Sequence, residues 1–528
     1  VEHTVELQDE HLALAHLFKT AHKLWKSQIV IVELVQNAEK LNSIFLHRLC
    51  NSIHNDWKSF VRAQLSKGGG TLFAYVAREE KQFLNVHWAT QGGAHIDPSS
   101  FLQQQVLNWS HFWAPTQQGF ATAVADELST FRDYALEHAA QINFTPALLQ
   151  AALKKYKKTS LGADAWSPVE LKAIPEVVLL PLCNAMQDSM RTIAWPHQHL
   201  TSLNPCLGKP GGDCRTICKT SLLYRMACGS NTSIRDWELL NKQSYDSAGV
   251  GSSALTAALF RNLVAELSFW RNRFSAAIFN DYQKFFDSID ISKLLQEAIY
   301  NDFPPAELSL AMQQHLAPRV IQVNGYNSVP ISVSKSILAG CKFSVALTKL
   351  YLLRNMIKLD NFHKDANLKV YVDDTSMQAA ADNIPEVLDQ LMPAMARFGQ
   401  IAKSLNLPLS PKGFVTASHA KLAKLLHKEL GDNGFSFLKQ KQGRDLGITH
   451  AAATMRPVKL LSTRLNKTRK FRLRKIARLA TTSRLARKLF TGSGYAAATW
   501  GHQASAISDS QIIALERDAL NCAGIKTN

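Results

Sequence analysis

Hydrophobic residues recur with a period near 3.6 in several long stretches of the chain, which predicts α-helices. Residues 1–66 show this spacing twice, and Phe120–Gln141 shows it again. Thr71–Val76 follows the glycine run that ends at Gly70, and its apolar content predicts a short strand. We therefore expect residues 1–150 to form a mainly helical N-terminal extension, for which the sequence indicates no chemistry.

From about residue 151 the pattern changes to helices that alternate with short apolar runs. Ala276–Asn280 and Lys369–Asp374 are strand candidates, and carboxylates stand at the end of both. Between them, Ile291–Tyr300 and Phe343–Leu359 have helical periodicity. This mixture predicts an α+β domain over residues 151–445, followed by a helical segment over residues 446–528.

The net charge of +18 is spread unevenly over the 528 residues. Residues 1–150 carry a net charge of −3, residues 151–445 carry +9, and residues 446–528 carry +12. The last segment has 15 basic side chains against three acidic ones. Such an excess indicates a polyanionic partner, most simply nucleic acid, although a solvated helix face is the alternative interpretation.

Composition excludes several classes of protein. The best apolar runs, Ile29–Val35 and Val177–Cys183, are far shorter than the roughly 20 residues that span a bilayer, so we expect no membrane partner. The opening VEHTVELQDE is acidic and has no apolar core, which predicts that no secretory signal is present. We therefore expect an intracellular protein, nuclear or cytoplasmic, with an organelle as a further alternative. The eight cysteines are too sparse for a disulfide scaffold and predict reduced thiols.

Three aspartates stand where the two strand candidates end. Asp281 follows the first strand, while Asp373 and Asp374 end the second. Carboxylates this close repel each other unless a cation neutralises them. Mg²⁺ prefers oxygen ligands and commonly uses one or two carboxylates with substrate phosphates. Most Asp-Asp pairs are surface turns, so the surrounding segments decide whether this one is a metal site.

Seven segments, in order over residues 160–450, resemble the reverse transcriptases of non-LTR (LINE-type) retrotransposons. VYVDDTS resembles their Tyr-x-Asp-Asp signature, DYQKFFDSID the preceding palm motif, and SILAGCKFSVALTKLYL the segment between the two. LGADAWSPVELKAIPEVVLLPLCNAM and LGKPGGDCRTICKTSLLYRM are similar to upstream and fingers motifs of that family. LNLPLSPKGFVTAS and GRDLGITHA resemble motif D and the primer-grip turn. The resemblance implies a right-hand polymerase, with fingers and palm in residues 151–445 and a thumb in residues 446–528.

The same resemblance implies the catalytic groups. Asp281, Asp373 and Asp374 would bind two Mg²⁺ ions, with Mn²⁺ as an alternative metal. Lys412 stands where motif D places a lysine that protonates the leaving pyrophosphate. The two metal ions would activate the primer 3′-hydroxyl and stabilise the pyrophosphate.

Further residues match the family's nucleotide-binding and nucleic-acid-binding positions. Phe286 would be the steric gate beneath the sugar of the incoming nucleotide. Lys209 and Arg215 would reach the triphosphate, and Gly340 would let the backbone approach the nucleotide or template closely. The basic residues of the thumb would follow the template–primer duplex without reading its sequence; they are Arg464, Lys467, Lys475 and Arg478.

The implied reaction is RNA-templated transfer of deoxynucleotides to a primer, with an RNA template, a DNA primer and dNTPs as partners, within a ribonucleoprotein or larger assembly. Ala339 stands where the family has a glutamine, which favours the alternative of a domesticated, inactive relative that binds RNA or supports an assembly. An RNA-directed RNA polymerase is a third hypothesis, against which the bulky Phe286 argues. Asp287 is predicted to cap the helix that begins near Ile291.

Overall fold

The structure is a computed structural model. It describes residue 16 and the ranges 31–78, 98–114, 120–138, 144–156, 160–208, 214–249, 251–323, 325–452 and 459–525. None of the helices within these ranges is both long enough and apolar enough to cross a membrane.

Helices account for most of the described residues. They are α1 (Ile31–Ser66), α2 (Gly70–Ala77), α3 (Pro98–Trp113), α4 (Phe120–His138), α5 (Pro146–Lys155), α6 (Pro168–Ala173), α7 (Glu176–Thr192), α8 (Leu222–Ser230), α9 (Ser233–Leu240), α10 (Ala254–Trp270), α11 (Phe285–Ser288), α12 (Ile291–Tyr300), α13 (Pro305–His315), α14 (Ser344–Phe362), α15 (Ile384–Ser404), α16 (Ala420–Asp432), α17 (Lys459–Thr468), α18 (Arg474–Ala480), α19 (Arg487–Leu489), α20 (Ala496–Thr499) and α21 (Asp509–Cys522). Short 3₁₀ turns lie at His197–His199, Lys364–Ala366 and Arg484–Ala486, and π turns at Arg469–Leu473 and Phe490–Tyr495.

The strands of the described residues form three sheets. They are β1 (Ser202–Gly208), β2 (Cys214–Thr216), β3 (Phe274–Asn280), β4 (Arg319–Val323), β5 (Tyr326–Asn327), β6 (Lys369–Tyr371), β7 (Asp374–Ala381), β8 (Phe414–Ala417), β9 (Leu438–Lys439), β10 (Gly443–Asp445) and β11 (Ile448–His450). The five-stranded sheet has the order β6-β7-β3-β8-β9, and the four-stranded sheet has the order β2-β1-β4-β5. β10 and β11 form a separate antiparallel hairpin.

The five-stranded sheet is buried on both faces, because apolar side chains from β3 point in both directions. Ile278 and Met377 lie in the main hydrophobic core with residues of α14 and α15. On the opposite face, Phe279 packs against Phe414, with ring centroids 4.5 Å apart. The sheet is therefore the centre of a mixed helix-and-sheet unit, which confirms the predicted combination of helices and sheets. Its assignment to fingers, palm and thumb stays a prediction.

The chain divides into two compact units. One unit comprises Val1–Lys81, Leu461–His502 and Ala506–Asn528, and the other comprises Gln82–Leu460 and Gln503–Ser505. The first helices and the basic C-terminal helices belong to one unit because they share a hydrophobic core, and the predicted segments at 150 and 446 stay a prediction. That core contains Val61, Leu65, Leu72, Val76, Leu473, Ile476, Leu479 and Leu489.

Two local predictions are wrong. Thr71–Val76 is part of the helix α2 and not a strand, because Leu72 and Val76, four residues apart, are both buried in this shared core. Asp287 does not cap the helix that begins at Ile291. The cap is Asp290, whose carboxylate accepts a hydrogen bond from the backbone N–H of Lys293 at 3.2 Å.

A buried ion pair fastens the β10–β11 hairpin to α10. The guanidinium of Arg261 donates from Nε and Nη2 to both carboxylate oxygens of Asp445, at 2.6 and 2.8 Å. Both side chains are about 5% exposed or less. The neighbouring Asn262 donates from Nδ2 to the carbonyl of Thr449 at 3.1 Å, so two successive residues of α10 hold the hairpin.

We expect Asp445→Ala to lower the free energy of unfolding by about 3–5 kcal/mol, because it leaves the buried Arg261 cation uncompensated. Urea unfolding measures this change. Asp382→Ala is the matched control: Asp382 also pairs with an arginine, Arg273, but its side chain is 81% exposed. That control should cost less than about 1 kcal/mol. Equal losses in the two variants would contradict a specific contribution from the buried pair.

Candidate active site

The pairing of β3 with β7 brings the sequence-predicted aspartates to one edge of the five-stranded sheet. Asn280 lies opposite Thr375 in this antiparallel ladder. Asp281 follows β3 and Asp374 begins β7, so both side chains lie at the same edge and on the same face. Asp373 occupies the turn that leads into β7.

The turn between β6 and β7 has an unusual backbone. Tyr371 lies opposite Asp374, so Val372 and Asp373 alone connect the two strands. Val372 has φ of 59°, in the left-handed region that β-branched residues avoid. Two-residue hairpins favour such turns because they match the twist of the strands. Strain of about 1–3 kcal/mol at such a residue is typical of functional sites.

A loop over residues 407–413 places Lys412 beside the aspartates. The backbone N–H of Ser410 donates to the carbonyl of Asp281 at 2.7 Å, and that of Gln283 donates to the carbonyl of Pro408 at 2.8 Å. Lys412 then lines the same cavity of about 170 Å³ as Asp281 and Asp374. The structure therefore brings together these three residues, which were predicted from separate segments of the sequence.

Carboxylates and partial burial make the site electrostatically costly. Burial raises the pKa of Asp373, and the neighbouring Asp281 raises it further. Asp374 keeps more than a third of its surface exposed. Nevertheless, desolvation by the surrounding protein, followed by repulsion from Asp373, Asp281 and Asp445, raises its pKa to about 7. The folded protein thus stabilises the neutral form of Asp374 relative to the anion.

The donor set suits a hard cation that is completed by substrate. No group of three or more His, Cys, Asp or Glu side chains in the described part of the chain is placed to hold one metal ion. None of the described lysines and arginines forms an ion pair with Asp281, Asp373 or Asp374. Mg²⁺ commonly binds one or two carboxylates and takes its remaining ligands from water and phosphate oxygens. The residues fit such an ion, and the metal itself stays a prediction.

Phe286 lies on the short helix α11, close in sequence to Asp281. It is partly buried, and its ring is perpendicular to that of Phe285, with centroids 5.7 Å apart. Phe285 is 2% exposed and belongs to the main core, so it is the core aromatic of this pair. Phe286 is half-buried against the main core and does not line the cavity with Asp281, so its role as a gate stays a prediction.

Gly340 has a structural reason to be glycine. Its φ is 107°, and a Cβ atom there would lie 3.1 Å from the carbonyl oxygen of Cys218. The backbone N–H of Cys218 also donates to the carbonyl of Ala339 at 2.7 Å. The close approach seen here is to the segment after β2, and the predicted approach to a nucleotide or template stays a prediction.

Of the two predicted triphosphate ligands, the structure describes only Arg215. Lys209 lies outside the described residues. Arg215 is exposed on β2, opposite Leu207, and does not line the cavity with Asp281.

The predicted nucleic-acid contacts divide into two groups. Arg464 lies 4.6 Å over the ring of Trp500 and donates to its carbonyl at 3.0 Å. Lys475 donates to the carbonyl of Arg78 at 2.6 Å and so satisfies the C-terminal end of α2. Lys467 and Arg478 are exposed. The first two side chains therefore make internal contacts, whereas the second two present charge at the surface.

Three further charged residues line the cavity and were not predicted from the sequence: Arg261, Arg444 and Asp445. Arg261 is the one basic residue of the largely apolar helix segment ALTAALFRNLVAELSFW, which was a usable signal of a buried partner. Asp445 lies in the segment GRDLGITHA, whose resemblance did not indicate an ion pair.

No protein-family model and no curated protein matches the sequence. Among solved structures, the chain is similar to apo telomerase from Candida tropicalis truncated from its C-terminal domain, at 12% identity and a TM-score of 0.34, over 49% of this chain and 54% of that one. It is also similar to apo telomerase from Candida tropicalis, at 10% identity and a TM-score of 0.36, over 62% of this chain and 61% of that one. The chain thus spans less than two thirds of the length of each of these two chains.

We expect Asp374→Asn to raise the melting temperature of the metal-free protein above about pH 4, the ordinary carboxyl range. The folded-state pKa of Asp374 lies near 7, above its unfolded value, so ionisation destabilises the fold as pH rises between these values. The advantage of the variant over wild type should grow up to pH 7 and vanish below pH 4. Thermal melts in EDTA measure it, with Asp382→Asn as control. An advantage of equal size at every pH would contradict the raised pKa.

Proposed function

We propose that this protein is an RNA-directed DNA polymerase, a reverse transcriptase of a LINE-like retroelement. One observation carries the proposal: Asp281, Asp373 and Asp374 meet at one edge of a buried sheet, beside Lys412. These residues come from three separate motifs that resemble the family, and the motifs occur along the chain in the family's order. The cavity at this edge is lined by both carboxylates and cations, which suits a metal-bound phosphate ester.

In this mechanism the three aspartates would hold two Mg²⁺ ions, or Mn²⁺ ions. When bound, the metal ions would activate the primer 3′-hydroxyl and stabilise the charge that develops on the phosphates. Lys412 would donate a proton to the leaving pyrophosphate. The exposed Arg444 in the same cavity suits contact with phosphate oxygens through its planar guanidinium. Phe286 would exclude nucleotides that carry a 2′-hydroxyl.

The partners are an RNA template, a DNA primer and dNTPs, within a ribonucleoprotein or larger assembly. The exposed Lys467 and Arg478, on the basic C-terminal helices, support binding to a nucleic-acid backbone.

Ala339 favours a second candidate function, an inactive relative that binds RNA or supports an assembly. A methyl side chain cannot provide the hydrogen bonds of the glutamine that the family places there. The same primer-extension assay decides between the two functions, because the second predicts RNA binding without incorporation of dNTPs.

We expect Asp373→Asn to reduce primer extension on an RNA template, with dNTPs and Mg²⁺, to background. The amide cannot supply the negative charge that a metal ligand requires. Asp382→Asn is the matched control, since Asp382 directly follows the far end of β7 and is exposed. The control should retain wild-type activity. Activity of Asp373→Asn equal to that of the control would remove this carboxylate from the mechanism.

Salt dependence tests the basic surface. Replacing Lys467 and Arg478 together with Gln should flatten the slope of log K against log[salt] for duplex binding by somewhat under two units, if each contacts a phosphate. Lys475→Gln also removes a positive charge, but Lys475 donates a hydrogen bond at the end of α2. This variant should therefore change the slope less than the double variant and lower the melting temperature more. An unchanged slope in the double variant would place both residues away from the duplex.

A further inference from the structure

The end of helix α3 is tied to the short helix that carries Phe286. Trp113, which is 1% exposed, donates from indole Nε1 to Oδ1 of Asp287 at 2.8 Å. Asp287 directly follows Phe286 in the sequence. The carbonyl of Trp113 also accepts from the backbone N–H groups of Ser334 and Lys335, at 2.9 and 3.3 Å. A segment with no predicted chemistry thus contacts the residue next to the gate.

A second contact joins the other side of the same short helix to α3. Lys284 has φ of 47° and immediately precedes α11. Its Nζ lies 4.0 Å from the ring centroid of Trp109 and 3.7 Å from that of Phe112. Residues on both sides of Phe286 therefore bind side chains of α3.

The indole N–H determines which way the Asp287 carboxylate is held. Arg319 is 1% exposed, and its guanidinium lies 4.7 Å over the Trp113 ring. Its Nη2 donates to the carbonyl of His315 at 2.9 Å, while its Nε has no hydrogen-bond partner among the described residues. Without the indole donor, two cations would remain beside the carboxylate, Arg319 with this buried Nε and Lys284. The Asp287 side chain would then leave its place beside the Trp113 indole.

Movement of Asp287 would carry the ring of Phe286 with it. The carbonyl of Phe286 accepts from the backbone N–H of Ile337 at 3.0 Å, and its ring meets Phe285 edge-on. Helix α11 has only four residues. A change in the position of Asp287 would therefore be passed on to the adjacent Phe286.

We propose that Trp113 is a positioning residue for nucleotide selection: its hydrogen bond to Asp287 sets the place of the Phe286 ring, and hence the exclusion of a 2′-hydroxyl. This inference rests on the proposed function. It gives residues 98–113 a role in the reaction without any contact between Trp113 and the substrate.

The test compares Trp113→Phe with wild type by the ratio of kcat/KM for dNTP to that for NTP. The variant keeps a six-membered aromatic ring and loses the pyrrole part of the indole with its N–H. We expect the ratio to fall about tenfold, because a displacement on the order of 1 Å strongly changes such discrimination. Trp237→Phe is the matched control: its indole donates to the carbonyl of Asn301 at the same 2.8 Å, at the far end of α12. That variant should keep the wild-type ratio.

A double variant separates positioning from general damage to the fold. Phe286→Ala should lower the preference for dNTPs over NTPs by itself. Adding Trp113→Phe should lower it no further, because both substitutions act through the ring of Phe286. Fully additive effects would overturn the inference. So would an unchanged ratio in a Trp113→Phe protein that polymerises and shows only a lower melting temperature.

A readout without turnover keeps the inference distinct from the proposed function. With 4-fluorophenylalanine at position 286, Trp113→Phe should shift the ¹⁹F resonance, whereas Trp237→Phe should leave it in place. An unmoved resonance overturns the positioning role. If Trp113→Phe shifts the resonance but the wild-type protein incorporates no dNTP, the polymerase function is refuted and, with it, the role in selection, while the contact between Trp113 and the short helix stands.

Discussion

The register between β3 and β7 is the constraint on which the candidate site depends. Asn280 lies opposite Thr375, and so the residues just beyond this pair, Asp281 and Asp374, face the same cavity. A slip of one residue would move the Asp374 side chain to the opposite face, among the apolar residues of the main core. The register is fixed because Met377 is fully buried opposite Ile278 on that face, and a slip of β7 would replace it with a polar side chain, Ser376 or Gln378.

The packing around the sheet offsets the free-energy cost of the turn between β6 and β7 and of its neighbouring carboxylates. Partial burial and mutual repulsion raise the pKa of Asp373 and of Asp374, and Val372 holds a left-handed backbone conformation. Neither feature contributes to folding stability. Both persist because β7 continues for eight residues beyond the turn and pairs with β3 along its length. Strain and like charge at the end of a well-packed hairpin are typical of a site maintained for ligand binding.

The sequence predicted the centre of the fold better than its periphery, for a physical reason. Strands β3 and β6 and helices α12 and α14 were predicted because their apolar patterns and terminal carboxylates are local features. The buried pair of Arg261 and Asp445 was not predicted, since 184 positions separate its partners and periodicity carries no information across that distance. Lys475 was assigned to nucleic acid because its charge is visible in the sequence, whereas the carbonyl groups of α2 that it binds are not.

The shared core of the N-terminal and C-terminal helices explains where the many basic side chains of the C-terminal helices lie. The basic side chains between Arg456 and Lys488 are too numerous to share one narrow helix face. In the structure these helices have an apolar side, formed by Leu473, Ile476 and Leu479, and it packs against Leu65 and Leu72. The charged side chains are therefore confined to the remaining surface, where Arg474 and Arg478 are exposed. Because apolar residues of α1 and α2 cover one side of the C-terminal helices, the basic side chains of these helices lie on the side that remains.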